Sequence, residues 1–257
     1  MELDEAIRRR RMCRDFSPRP LPAATVDRLV DRARRAPSAG DTQGWAWVVL
    51  EGAETGRFWS LTTEAEWLAD PDPAGVVRAP VVVLPLVSPA AYLARYSEPD
   101  KVRARPVSPK AGRDRIEGWP VPYWLVDGGM ALQLLLLGAV AEGVGALLFA
   151  LHRDPAELLA ELGVPAGWEP LGAVALGWPA GAEGKDQGQP SARMAPAGVV
   201  PAGEAGVVPA GEAAAGDGVA PAGEAAAGDG AAPAMAAAAA ARRRRKGIEE
   251  VLHRGRW

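Results

Sequence analysis

From about Ala180 to Ala241 the chain consists almost wholly of Ala, Gly, Pro and Glu, and this stretch confines where a core can form. Within it Pro209–Ala220 (PAGEAAAGDGVA) returns nearly unchanged as Pro221–Ala232 (PAGEAAAGDGAA), a 12-residue period. Such a segment lacks the large apolar side chains whose burial offsets the entropy lost on ordering. Solenoid repeats are longer and carry core residues, so this one reads as a disordered linker. A core must come from residues 1–179. Residues 242–257 read as a structured tail, because Ile248, Val251, Leu252 and Trp257 bring apolar surface back.

Residues 1–179 alternate helical and strand-like patterns. Leu3, Ala6 and Ile7 suit one face of a first helix. Val26, Leu29, Val30 and Ala33 follow the i, i+3, i+4, i+7 rule and predict a second helix that ends before Pro37. Trp45–Leu50 and Val81–Leu86 read as strands buried on both faces, with Pro85 hinting at an edge or a bulge. Asp127–Glu142 is apolar all round and predicts a buried central helix. Ala146–Leu151 and Leu171–Leu176 read as strands, and Pro155–Leu162 as a helix. Helices mixed with a few buried strands imply an α+β sheet domain. Several of the nine tryptophans fall in expected loops (Trp119, Trp124, Trp178), which implies cover from a partner chain or a ligand.

Composition narrows the function. A net charge of -3 gives no global field for nucleic acid, and the basic runs Arg8–Arg11 and Arg242–Lys246 lack interleaved aromatics. One cysteine, Cys13, leaves no internal disulfide and no multi-cysteine metal site. The start Met-Glu-Leu-Asp-Glu shows no secretory pattern, so a soluble cytoplasmic protein is the expectation. The most apolar stretch, Met130–Val140, falls short of the roughly 20 residues that cross a bilayer. The two histidines, His152 and His253, lie far apart, and no GxSxG, HExxH, P-loop or GxGxxG stands in a fitting context. Catalytic power, if the chain is an enzyme, then rests with a cofactor.

Two motifs give that cofactor a shape. Arg10-Arg11-Met12-Cys13-Arg14-Asp15-Phe16 follows the first helix, and Ala36-Pro37-Ser38-Ala39-Gly40-Asp41-Thr42-Gln43-Gly44-Trp45 follows the second. Together, in this order and at this spacing, they resemble the nitroreductase family, whose members carry Arg-Arg-Ser-x-Arg-x-Phe and then Ala-Pro-Ser-x-x-Asn-x-Gln-Pro-Trp. Gly143-Val144-Gly145-Ala146 stands where the family has a Gly-Leu-Gly turn, and Arg243–Trp257 resembles its terminus. The resemblance covers about residues 3–179 and 242–257, with the repeat as an insertion. It implies a mixed, mostly antiparallel sheet flanked by helices in an intertwined homodimer.

It also implies a site. Arg10, Arg11 and Arg14 would grip the FMN phosphate through paired charge-assisted hydrogen bonds, with Met12 in the family's Ser position offering only backbone. Pro37, Ser38, Ala39 and Gly40 would approach the flavin closely, and Gln43 would reach its pyrimidine edge. Asp41 replaces the family's Asn. Leu148, Phe149, Ala150 and Leu151 would lie against the ring, with a backbone N–H near Ala150 or Leu151 facing N5. Arg243 and Arg245 match two C-terminal cations for the phosphate, in a register uncertain by one residue. From the residues alone, a solvated basic helix end, a plain helix-to-strand turn and a core strand are the plainer readings of these three segments.

The activity so implied is FMN-dependent reduction of a small acceptor (nitroaromatic, quinone or unsaturated metabolite) by NAD(P)H, with hydride passing through flavin N5. The alternatives are a specialised flavin dehydrogenase, a flavin-destroying or dehalogenating relative, or a flavin-storage or sensing protein without turnover. As for the linker, deleting Gly181–Ala241 behind a short bridge is expected to leave FMN content unchanged in absorbance spectra. Loss of FMN from a folded deletion variant would give the segment a role in binding.

Overall fold

Alternation along the two longest strands decides the architecture, because each sends successive side chains to opposite faces and both faces are apolar. The computed structural model describes residues 1–69, 74–103, 116–181 and 244–257 of the 257-residue chain. The repeat-bearing linker and Arg243 fall outside them, and all described residues belong to one unit formed by Met1–Gly188 and Arg242–Trp257. In chain order the elements begin with α1 (Leu3–Arg9), α2 (Ala23–Ala33), β1 (Trp45–Glu51) and α3 (Ala53–Thr62). Then come α4 (Ala65–Ala69), α5 (Ala74–Val77), β2 (Val81–Val87), α6 (Pro89–Tyr96) and α7 (Pro99–Arg103). The series continues through α8 (Tyr123–Ala141), β3 (Gly145–Phe149), α9 (Ala156–Glu161), β4 (Glu169–Pro170) and β5 (Ala173–Gly177), and ends with β6 (Leu252–Arg254).

The sheet runs β3-β5-β2-β1-β6, with β4 beside β2. Its pairings are antiparallel apart from β1 with β6, which is parallel. Trp45, Trp47, Val49, Val81 and Val83 face Val26, Leu29 and Val30 of α2 and Ala131 and Leu135 of α8. Ala46, Val48, Leu50, Val82 and Leu84 face Phe58 and Trp59 of α3 and Leu158 of α9. The α+β expectation and the mostly antiparallel mixed sheet both hold.

Four details differ from the sequence reading. Pro85 sits on a central strand, not at an edge. Its carbonyl accepts from Leu171 N (2.9 Å), so its side without an N–H faces the break between β4 and β5, where Gly172 turns at φ 106°. The helix read as Asp127–Glu142 starts at Tyr123, and it is not buried all round: Val126 and Met130 lie on an open face at 44% and 36% exposure. Its length and composition would suit a membrane crossing, but half of it is buried against the rest of the chain. On α1 only Ala6 is buried, while Leu3 and Ile7 are 64% and 54% exposed. Trp119 and Trp124 need no outside cover, since each is buried beside Tyr92 and the other. Trp178 packs under Arg19 and donates to Pro20 O (3.2 Å).

The helices α3 to α7 went unread. The α6 start was marked by Ser88-Pro89: Ser88 Oγ accepts from Ala91 N and Pro89 occupies the first turn. The α3 pattern is weak because only Phe58, Trp59 and Thr62 are buried.

Candidate functional site

The turn Pro37–Gly44 must deliver the chain from α2 to a β1 whose first residue, Trp45, is already 2% exposed. Small and turn-forming residues make that possible. Gly40 (φ 66°), Asp41 (φ 55°) and Gln43 (φ 54°) all adopt the left-handed region, which costs of order 1–3 kcal/mol for each non-glycine residue. At Gly40 a Cβ would lie 2.9 Å from the Tyr96 ring, so the position requires glycine twice over.

The strained turn is held from several directions. Ser38 O accepts from Asp41 N (2.9 Å), Ala39 O from Thr42 Oγ1 (2.6 Å), and Ser38 Oγ from Gln43 N (2.9 Å). From α8, Asp127 Oδ2 accepts from Ala39 N (2.7 Å), and the same oxygen accepts from Tyr92 OH of α6 (2.7 Å). Arg95 Nε donates to Gly40 O (2.7 Å), while its two terminal nitrogens engage Glu98 and Asp100. After this accounting, the N–H groups of Ser38 and Gly40 have no partner among the described residues.

Burial pushes the Asp127 carboxyl above its ordinary range, against the pull of the Ala39 N–H and the Tyr92 hydroxyl. Burial and the Asp127 hydrogen bond push the Tyr92 phenol up. The Arg95 hydrogen bond holds the Asp100 carboxyl down at about 2.

The C-terminal tail closes the other side of the turn. Gln43 is 2% exposed, and its side chain is fully engaged: Nε2 donates to Asp41 Oδ1 (3.1 Å) and Arg244 O (3.3 Å), and Oε1 accepts from Lys246 N (2.7 Å). Lys246 Nζ donates to Gln43 O (2.8 Å). Arg245 caps the C-terminal end of α2 by donating to Arg34 O (2.6 Å). The Gln43 amide therefore spends both its donor and its acceptor capacity on the protein itself, and Arg245 commits one terminal nitrogen, Nη1, to the end of α2.

The arginine segment lies elsewhere, against β3. Cys13 N donates to Ala146 O (2.9 Å), which fixes Arg10–Arg14 beside the start of that strand. Burial pushes the Cys13 thiol up. Arg11 folds back to donate to Arg8 O (2.9 Å) and Arg10 O (3.0 Å). The guanidinium groups of Arg10 and Arg14 have no hydrogen bond or ion pair among the described residues, and Arg14 is exposed. Met12 packs against the apolar clusters on both sheet faces.

At about 3.3 Å per residue, Phe149 stands about 10 Å along β3 from Ala146. Strand alternation separates the next two predicted residues: Leu148 packs on the α8 side, whereas Phe149 stacks on Trp59 (5.3 Å, 14°) on the opposite face. Ala150 is exposed, and neither its N–H nor that of Leu151 donates to a described residue.

The structure thus joins Pro37–Gln43 to Arg245 in one place and Arg10–Arg14 to the β3 strand in another; Arg243 lies outside the described residues. Asp127, Tyr92, Arg95 and Lys246 escaped the sequence reading. Asp127 did leave a trace, as the one acid at the head of an apolar run, where a buried charge must find donors.

Comparison with known proteins bears on this arrangement. A model of the nitroreductase family matches residues 7–178. A "Putative NADH dehydrogenase/NAD(P)H nitroreductase" of Methanothermobacter thermautotrophicus is 26% identical over 185 residues, covering 70% of this chain and 78% of that protein. Nitroreductase CinD from Lactococcus lactis, solved in complex with nicotinic acid, superposes with a TM-score of 0.56 at 17% identity, covering 74% of this chain and 95% of that one. A nitroreductase family protein from Clostridium novyi NT gives a TM-score of 0.52 at 21% identity, over 72% and 89%.

Asp127 also predicts a pH dependence. A carboxyl whose folded pKa is raised stabilises the fold below its unfolded value of about 3.9, and that stabilisation is lost as pH rises through the folded pKa. Asp127→Asn keeps an oxygen acceptor without the charge. Its melting temperature relative to the parent chain should therefore climb as pH rises above about 4. A difference that stays flat across thermal melts from pH 4 to 8 would contradict the assignment.

Proposed function

The chain belongs to the nitroreductase family, and from that premise we propose that it binds FMN and uses NAD(P)H to reduce a small acceptor. Oxidoreductase activity follows from the family; the cofactor, the nicotinamide and the acceptor class (nitroaromatic, quinone or unsaturated metabolite) are the proposed part. The observation that carries the reading is a donor set left unpaired among the described residues, where most other arginines are engaged. It comprises the guanidinium groups of Arg10 and Arg14 and the N–H groups of Ser38, Gly40, Ala150 and Leu151. Such a set fits a ligand that is a phosphate dianion at one end and a ring rich in acceptors at the other.

In this reading Arg10 and Arg14 hold the phosphate through forked charge-assisted hydrogen bonds. Ser38, Ala39 and Gly40 present a wall without bulk, so a flat ring can lie against backbone. The N–H groups after β3 supply a fixed dipole that stabilises negative charge on whatever lies over Ala150 and Leu151. When bound, FMN would supply the hydride chemistry that links NAD(P)H to the acceptor. Gln43 and Arg245 fasten the tail that backs the turn.

A second copy of the chain completes the assembly. Leu3 and Ile7 of α1 and Tyr123, Val126 and Met130 of α8 are exposed on two helices that pack together, apolar surface that a second copy would cover. Light scattering is expected to give the mass of a dimer, and a monomer at micromolar concentration would remove this part.

The purified protein should carry or take up FMN, and anaerobic NADPH or NADH should bleach its flavin absorbance. Arg10→Ala and Arg14→Ala should each weaken FMN binding about 10- to 100-fold, the scale of a lost charged hydrogen bond. A colourless protein that takes up no FMN on titration overturns the reading.

A further inference from the structure

We propose that Asp127 is the positioning residue of the FMN site, holding Ser38–Gly40 by the Ala39 N–H in the shape that leaves the N–H groups of Ser38 and Gly40 for the cofactor. The inference rests on the FMN reading above and adds a residue that neither motif contains.

Asp127 is 2% exposed and is the one charged residue of α8, in a place where an uncharged side chain would be easier to bury. Its cost is met by two donors on one oxygen, Ala39 N–H and Tyr92 OH, both at 2.7 Å. Those donors come from different elements, so the carboxylate ties the turn before β1 to α6 and α8 together. Arg95, three residues after Tyr92 on the same helix, grips the next carbonyl along, that of Gly40, at 2.7 Å. The turn is thereby held by its Ala39 N–H and its Gly40 C=O at once.

That two-point grip decides which amides remain available. With Ala39 N–H drawn to Asp127 and Gly40 O to Arg95, the peptide between them cannot rotate freely. The N–H of Gly40, which belongs to that peptide, stays unpaired. The left-handed geometry at Asp41 and Gln43 would relax if the grip were lost, because non-glycine residues hold that region only where the surroundings impose it. Packing adds to the restraint: a Cβ at Gly44 would meet the Tyr92 ring at 2.6 Å, so Tyr92 also bears directly on the turn.

The test compares Asp127→Ala, Asp127→Asn and Tyr92→Phe with the parent chain. FMN affinity is read by quenching of flavin fluorescence, and amide hydrogen exchange is followed in the peptide covering residues 37–44 of the apoprotein. Asp127→Ala should weaken FMN about tenfold or more and speed exchange in that peptide while β1 stays protected. Asp127→Asn, which keeps an acceptor, should restore both to within about threefold. Tyr92→Phe leaves the Ala39 bond in place and should cost about threefold or less, with a small rise in exchange. If Asp127→Ala fails to fold, the other two variants decide: a loss with Asp127→Asn as large as tenfold, or a Tyr92→Phe chain unchanged in exchange, overturns the proposal. A parent chain that takes up no FMN overturns the functional reading and this inference with it. A parent chain that binds FMN no more tightly than Asp127→Ala overturns this inference alone.

Discussion

β1 and β2 are pressed between helices on both faces, and most of what matters in this protein follows from that confinement. A strand with no solvent face cannot begin in a loose loop, because any backbone polar group near its start must already be paired. The turn ahead of Trp45 is therefore as tightly bound as the strand it feeds: its groups go to α6, α8, the tail and itself. The N–H groups of Ser38 and Gly40 are left without a partner among the described residues, as are the buried indole nitrogens of Trp45 and Trp47.

Those elements reach the turn from very different parts of the sequence. Asp127 and Arg95 come from helices that follow β2, and Gln43 meets Arg244 and Lys246 from beyond the linker. Arg34 Nη1 donates to Lys246 O and Arg245 Nη1 donates to Arg34 O, so the end of α2 and the tail brace one another. The tail is thus part of the wall behind the turn as well as an addition to the sheet edge, where Arg254 also engages Glu51 and Asp27.

The parts of this arrangement that repeat were legible in the sequence. The α2 stripe and the two long strands could be read from spacing, because burial there obeys a simple period, whereas the sheet's mixed character came only with the family resemblance. What could not be read depends on side chains that meet across the fold. Gln43 looks like an exposed turn amide until Lys246 is brought beside it, and Arg95 looks like a surface charge until Gly40 offers a carbonyl. Pro85 misled because the break that tolerates it lies in the neighbouring strand. Uniform hydrophobicity hid the open face of α8, since periodicity cannot tell an apolar residue in a core from one left facing outward.

The parallel pairing of Leu252 with Trp47 has a consequence for how the chain is made. The partners lie about 200 residues apart, so at about 5–20 residues per second a ribosome needs roughly 10–40 seconds between them. During that interval Trp47, Val48 and Val49 present an unpaired strand border on the emerging polypeptide. Such a border invites strand addition by other chains. Crowded synthesis is then a moment at which this border stands open to misassembly.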